Sequence, residues 1–331
     1  MKYDVSGIGS PLLDLSLEVE EKLLQDLSLK KGSMKLVDLD QAQDILKIIS
    51  GNSGSSKTYD IQKTPGGSVA NVLAGVSALG GKSVLLGKIG FDEYGKIYHA
   101  ETKKAGTVCK LSKHKDLDTG HAITFITPDG ERTFATYLGA SLHLNINDID
   151  EDAIKSSKIL HLEGFTLEDD KLRETIKHAI EIAQHNNTQV SIDLSDSELV
   201  KRNIDYLKFF VDKYVNIVFA NENEAQAFTG KGEDKALEEI YKRCDLAIVK
   251  LGSRGSLIKD HQNIHKISVH NSSFINSNGA GDMYAAGVLY GLANGMPLEK
   301  AGNLASYVAS LVVAKDGARV NEDLSHLPWG R

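Results

Sequence analysis

Asn276-Ser277-Asn278-Gly279-Ala280-Gly281-Asp282-Met283-Tyr284-Ala285-Ala286-Gly287 runs two glycines and an alanine straight into an acidic residue. An apolar, helix-forming segment then continues to about Ala293. A small-residue turn that opens a helix leaves several backbone N–H groups unpaired and pointing one way. They lie at the positive end of the helix dipole, a setting that suits an anion. If the turn only bound phosphate, Asp282 would repel its ligand. The arrangement makes sense if a substrate hydroxyl lies beside the carboxylate and attacks a phosphate held by the amides. The stretch argues for a kinase.

Composition is compatible with that. A chain of 331 residues fits one large α/β domain, or one domain with a smaller appendage. Its 41% apolar and 25% charged residues are ordinary for a soluble enzyme. A net charge of −7 argues against general nucleic-acid binding. Met1-Lys2-Tyr3-Asp4 leads into a strand-like run too short for a secretory core, and no apolar run approaches a membrane span. Cys109 and Cys244 match no metal or redox spacing and read as two buried thiols in a reducing compartment. The expectation is a globular, cytoplasmic protein.

Val5-Ser6-Gly7-Ile8-Gly9 reads as a buried strand ending in the loop Ser10-Pro11-Leu12-Leu13-Asp14. A dinucleotide fingerprint starting at Gly7-x-Gly9 fails because Leu12 holds the third glycine position. Asp14 is either a ligand for sugar hydroxyls or a cap for the next helix. Residues 18–50 alternate helix-like and strand-like pieces around Lys31-Gly32-Ser33-Met34, and 51–56 form a polar loop. Thr64-Pro65-Gly66-Gly67-Ser68-Val69-Ala70-Asn71 then opens a helix of small and apolar residues. Gly66 and Gly67 let the backbone approach a ligand, and Asn71 lies one turn into the helix; close packing on a sheet also favours such residues. Gly81-Lys82-Ser83 mimics the end of a P-loop, but Val76 stands where its first glycine belongs.

His121–Ile126 and Arg132–Tyr137 flank Thr127-Pro128-Asp129-Gly130-Glu131 and predict a hairpin. Hairpins do not belong inside a βαβ sheet, so this piece leaves the main body. With parts of 12–64 it would form a β-rich lid, from segments of about 12–64 and 107–138. Arg132 either binds substrate or is solvated. From residue 158 onward strands and helices alternate, with a helix spanning Glu198 to Phe210. That period implies a parallel sheet covered by helices on both faces, with ligands at the carboxyl ends of its strands. Asn221-Glu222-Asn223-Glu224 sits at one such end, suited to hydrated Mg²⁺ or to a capped helix start. Leu251-Gly252-Ser253-Arg254-Gly255 follows another, suited to a turn beside a flat nucleotide or to a plain hairpin turn. Eleven histidines show no H-E-x-x-H spacing and no G-x-S-x-G motif occurs, so metal-centred and serine hydrolysis lack support.

Gly66-Gly67-x-x-x-Asn71, Asn221-x-x-Glu224 and Gly279-Ala280-Gly281-Asp282 come in this order across nearly the whole chain. Together they resemble the ribokinase-like (PfkB) family of carbohydrate and nucleoside kinases. Gly9–Asp14, Lys31-Gly32-Ser33-Met34 and Tyr137-Leu138-Gly139-Ala140 look like its adenosine-kinase branch. The resemblance implies one kinase domain over 1–331, a three-layer α/β/α fold with a mainly parallel sheet and a β-lid. It implies ATP-dependent phosphorylation of a hydroxymethyl group, most readily that of adenosine. A sugar kinase of the ribose or fructose type, or an idle nucleotide-binding member, are the alternatives.

Residue by residue, the resemblance makes Asp282 the general base and Gly279, Ala280 and Gly281 the anion hole. Asp14, Gly66, Gly67 and Asn71 would bind the acceptor. Asn221 and Glu224 would serve phosphate and hydrated Mg²⁺, while Lys250, Gly252 and Gly255 line the ATP site and Asn303 lies near adenine. One departure stands out. The family's turn usually follows Asp-Thr, and Asn276-Ser277 takes those places here. Asn276 offers an oxygen to a monovalent cation but no charge, so potassium activation stays open. The partners implied are a small-molecule nucleoside or sugar and ATP, on a monomer or homodimer.

Overall fold

Runs rich in Val, Ile and Leu, separated by amphipathic helices, bury both faces only if the strands pair in parallel beneath helices. The computed structural model describes residues 1–51, 59–320 and 322–327. Its strands are β1 (Tyr3–Ile8), β2 (Leu12–Glu18), β3 (Met34–Leu36), β4 (Gln62–Pro65), β5 (Ser83–Gly90), β6 (Val108–His114) and β7 (Thr119–Ile126). There follow β8 (Arg132–Gly139), β9 (Ser157–Glu163), β10 (Gln189–Asp193), β11 (Ile217–Asn221), β12 (Leu246–Lys250), β13 (Ser256–Lys259) and β14 (Ile264–Ile267). The polar loop read at 51–56 lies, from residue 52 on, outside the described residues.

Nine strands form the main sheet in the order β14-β13-β12-β11-β10-β9-β1-β5-β6. Pairing is parallel from β12 through to β6, and β13 and β14 add antiparallel strands at one edge. Helices Ser68–Ala78, Ala280–Ala293 and Leu298–Val313 cover one face, with Val72, Leu85, Phe219 and Leu289 among the buried contacts. On the other face Ile176 and Ile180 of helix Asp170–His185 meet Leu160, Ile192 and Val218. Each such fully buried aliphatic side chain contributes on the order of 2 kcal/mol of burial free energy. The α/β/α layering predicted from the strand–helix period is present. The helix read over Glu198–Phe210 is two, Ser197–Arg202 and Ile204–Tyr214. Asn203 separates them, its side chain donating to Leu199 C=O and accepting from Arg173, the local competition that weakens helices at Asn.

The second sheet has five strands in the order β3-β8-β7-β2-β4. The predicted hairpin is β7 and β8, paired antiparallel. One face packs Leu13, Leu15, Leu17, Ile123 and Phe125 against Leu24, Ile45 and Ile49 of the short helices Glu21–Asp26 and Leu39–Ile49. Two differences from the sequence reading follow. Val108–His114 pairs with β5 as the edge strand of the main sheet, so the 107–138 segment divides between the two sheets. Asp14 sits within β2 rather than in a loop, because Leu13, Leu15 and Leu17 give that segment the period of a half-buried strand.

Candidate active site

Four neighbouring parallel strands end in polar residues: Glu163 on β9, Asp193 on β10, Asn221 on β11 and Lys250 on β12. This is the carboxyl edge where open α/β sheets bind ligands. Lys250 Nζ pairs with Asp193 at 2.5 Å, both largely buried. Burial works against the ammonium charge, but Asp193 and Glu224 outweigh it and hold Lys250 above its usual range. Asn221 caps the next helix, Glu222–Thr229, accepting from Glu224 N–H, while the Glu224 carboxylate accepts from Asn221 N–H and Nδ2. The capped helix start is therefore present. Burial, reinforced by Asp193 and opposed by Lys250, pushes Glu224 up to about 7.

The turn at 276–282 stands over this edge. Gly279 caps helix Ala280–Ala293 with φ of 73°, and a Cβ there would run into Ala318 C=O; only glycine adopts this conformation without strain. Ala280 N–H donates to Ser277 C=O at 3.2 Å, and Met283 N–H makes the first helical bond to Gly279 C=O. Gly281 and Asp282 N–H precede that bond and are open among the described residues. Of the expected anion hole Gly279, Ala280 and Gly281, the Ala280 amide is thus already engaged, and Asp282 N–H joins Gly281. A Cβ on Gly281 would lie 3.3 Å from Lys250 Nζ, so the ammonium sits directly beneath them. Asn276 uses both ends of its amide within the protein, donating to Lys315 C=O and accepting from Asn278 N–H.

Asp282 is half-buried and doubly held. Ser68 Oγ donates to Oδ1 at 2.7 Å and Asn71 Nδ2 to Oδ2 at 2.8 Å. Burial raises the Asp282 pKa, and the Asn71 and Ser68 hydrogen bonds pull it back. Both donors come from helix Ser68–Ala78, whose N-terminal residue Gly67 has φ of 88° and passes so close to Ser10 C=O that a Cβ would lie 2.5 Å away. Glu163 fixes that approach by accepting from Ser10 N–H at 2.9 Å and Val69 N–H at 3.3 Å. The glycine pair thus delivers Ser68 and Asn71 to the carboxylate.

Asp14 faces the same cleft from the second sheet. It lies on the side opposite Leu13 and Leu15, beside Gly66, and accepts from Thr124 Oγ1 at 2.5 Å. Its pKa is raised by burial, with Thr124 and then Arg132 opposing. Register places Leu36, Thr136 and Ala122 in one row with Asp14, and Met34, Phe134 and Thr124 in the next. Met34 and Leu36 are exposed, so the acceptor side is a polar corner next to an apolar wall.

Across the turn lies a cavity of about 360 Å³ that includes Lys250, Gly252, Gly255, Ala280 and Gly281 in its lining. Gly252 and Gly255 bracket the tight connection between β12 and β13, so both readings of that segment describe the same residues. Asn303 is exposed and does not line the cavity. Its helix offers Ser306 and Ser310 there. Four residues in the site carried no role in the sequence reading. Ser68 lay inside a quoted motif, and Asp193 and Glu163 carried the signal of an acid at a strand end. Arg319, which donates to Asn71 Oδ1, carried none.

A carboxylate at a glycine-turned helix start, an ammonium beneath the turn and a β-lid over it define a phosphotransferase acting on an alcohol group. The model of the pfkB family of carbohydrate kinases matches residues 27–324, and the chain belongs to that family. The 5-dehydro-2-deoxygluconokinase of Clostridium perfringens is 29% identical over 273 residues, spanning 78% of this chain and 81% of that protein. Its counterpart in Bacillus subtilis is 26% identical over 298 residues, 86% and 92% of the two chains. Among solved structures, an adenosine kinase from Sinorhizobium meliloti superposes with a TM-score of 0.89 at 30% identity over 98% of both chains. A probable sugar kinase protein from Rhizobium etli CFN 42 gives 0.88 at 28% identity, over 98% and 97%. The nucleoside preference inferred from the resemblance is thus reordered, since the curated relatives are sugar kinases. No helix among the described residues is long and apolar enough to cross a membrane.

Proposed function

We propose that the chain transfers the γ-phosphoryl group of ATP to a hydroxymethyl group of a sugar or sugar acid of the 5-dehydro-2-deoxygluconate type. The observation that carries the reading is Asp282, half-buried and held by Ser68 and Asn71 beside two open turn amides. Asp282 takes the hydroxyl proton as that oxygen attacks the γ-phosphorus and the bond to the bridging oxygen of ADP breaks. Gly281 and Asp282 N–H groups and the Lys250 ammonium stabilise charge on the transferred group. A comparable donor in other enzymes is worth about 3–4 kcal/mol.

Magnesium, when bound, neutralises phosphate charge. The residues present fit it: burial, reinforced by Asp193, raises Glu224 to about 7, and a carboxyl so placed gains from a nearby cation. No cluster of three ligating side chains occurs among the described residues, which suits an ion kept in its own water shell. Asn221 and Glu224 would hold those waters. The nucleotide is assigned to the cavity beside Gly252 and Gly255, and the acceptor to Asp14, Gly66, Gly67, Asn71 and Arg132. Asn276 Oδ1 accepts one N–H and keeps a second lone pair, so a monovalent-cation role there stays open. The unpaired thiols Cys109 and Cys244, pushed up by burial to about 11 and about 12, suit a reducing cytoplasm.

A nucleoside is the second reading, favoured by the apolar wall of Met34, Leu36 and Phe134, which suits a flat base. Incubation with MgATP and either 5-dehydro-2-deoxygluconate, ribose, fructose or adenosine decides between them. The sugar reading expects the keto acid or a free sugar to be phosphorylated at least tenfold more efficiently than adenosine; the reverse order would overturn it.

A further inference from the structure

The segment that follows helix Leu298–Val313 stitches both halves of the catalytic site. Lys315 C=O accepts from Asn276 Nδ2 at 2.5 Å, and Ala318 fills the space beneath Gly279. Arg319, nine-tenths buried, donates from Nε to Asn71 Oδ1 at 2.7 Å and from a terminal nitrogen to Gly66 C=O at 3.4 Å. The Tyr98 hydroxyl donates to the same Gly66 carbonyl at 3.1 Å.

An arginine has only donors. The Asn71 atom opposite its Nε is therefore the amide oxygen, which turns the Asn71 NH₂ toward Asp282. That NH₂ in turn donates to Asp282 Oδ2 while Ser68 donates to Oδ1, and two donors on the two oxygens favour the ionised carboxylate. Stability does not account for burying the cation: a buried guanidinium costs several kcal/mol, and its other terminal nitrogen has no hydrogen-bond partner among the described residues. We propose that Arg319 is a positioning residue for phosphoryl transfer, fixing through Asn71 the orientation and the ionised state of Asp282. The inference rests on Asp282 being the base. Arg319 reaches that carboxylate only through Asn71, so it positions without touching the reacting atoms.

The charged groups facing Asp282 are Asp193 and Lys250 from the strand ends, Glu163 from β9 and Arg319 from the C-terminal segment. Lys250 remains in every variant below, so a change reports on Arg319. Arg319→Gln keeps an N–H for Asn71 and loses the charge; Arg319→Lys keeps the charge. The test follows the ¹³C resonance of the Asp282 carboxyl against pH in aspartate-labelled protein, assigned with Asp282→Asn. In Arg319→Gln the carboxyl should titrate about one pH unit higher than in wild type, and in Arg319→Lys close to it.

With MgATP and whichever of 5-dehydro-2-deoxygluconate or adenosine turns over, the acid limb of kcat/KM should move up by the same amount. The loss is then about tenfold at low pH and slight on the alkaline plateau, with KM for MgATP unchanged. A folded Arg319→Gln whose Asp282 titration is unmoved, or whose loss is uniform across pH, overturns the proposal. Should Arg319→Gln fail to fold, a clear rise of the titration in Arg319→Lys overturns it equally. The carboxyl titration needs no turnover. A protein that phosphorylates none of 5-dehydro-2-deoxygluconate, ribose, fructose and adenosine yet shows the shift counts against the proposed transfer and leaves the Arg319 coupling standing.

Discussion

The two sheets place their polar groups differently. In the nine-stranded sheet both faces are buried, so Glu163, Asp193, Asn221 and Lys250 emerge only at strand ends. In the five-stranded sheet one face is buried and the other more open, so Asp14, Arg132, Met34 and Leu36 emerge from a face. The first arrangement concentrates charge beneath one turn and, on the function proposed, would serve the chemical step. The second spreads mixed polarity over an area and would serve the choice of acceptor. A body residue should therefore change kcat and a lid residue the acceptor terms.

Gly279→Ala should break the body side most severely. The new Cβ meets Ala318 C=O at a φ of 73°, the two turn amides lose their aim, and kcat falls by at least about a thousandfold. Steady-state kinetics beside a melting curve checks this; a folded variant with tenfold loss or less would break the division. On the lid side, Asp14→Ala should raise acceptor KM about a hundredfold, the scale of a lost charged hydrogen bond. Calorimetry should find MgATP binding unaltered, and a matched loss of ATP affinity would place Asp14 with the body.

Glu224 sharpens the comparison through pH. An acid whose folded pKa lies above its unfolded value binds its proton more tightly when folded. Its stabilising contribution is present below pH 4.5 and lost as pH rises through about 7. Denaturant titrations should show wild type losing on the order of 3 kcal/mol relative to Glu224→Gln between those limits. Magnesium should narrow the gap in wild type alone; parallel profiles would deny that Glu224 is strained. The smallest effect belongs to the lid wall. Leu36→Ser should lower kcat/KM for adenosine relative to 5-dehydro-2-deoxygluconate by about tenfold, read by direct competition.

The same division governs what the sequence made legible. Strand–helix alternation after residue 158 and the glycine turn at 279–281 follow local rules, and the α/β/α body and the position of Asp282 were readable from them. Asp14 was read as a loop residue because two leucine-rich positions separate a strand from a loop only once β7 pairs with them. Val108–His114 was grouped with the lid because its alternating polarity is that of an edge strand, which either sheet accepts. The resemblance puts Asn303 near adenine, whereas the turn of its helix presents Ser306 and Ser310 to the cavity. Arg319 meets Asn71 through tertiary packing, and no local pattern encodes a contact between positions so far apart.

Asp282→Asn tests the central claim most directly. The exchange keeps the shape and the volume of the side chain while removing the carboxylate proposed to take the acceptor's proton. In single-turnover phosphoryl transfer with saturating MgATP and acceptor, the chemical step should slow about a thousandfold, roughly 4 kcal/mol. Calorimetric affinities for both substrates should stay within about threefold of wild type. A folded Asp282→Asn protein that transfers phosphate at near wild-type rate would contradict the account.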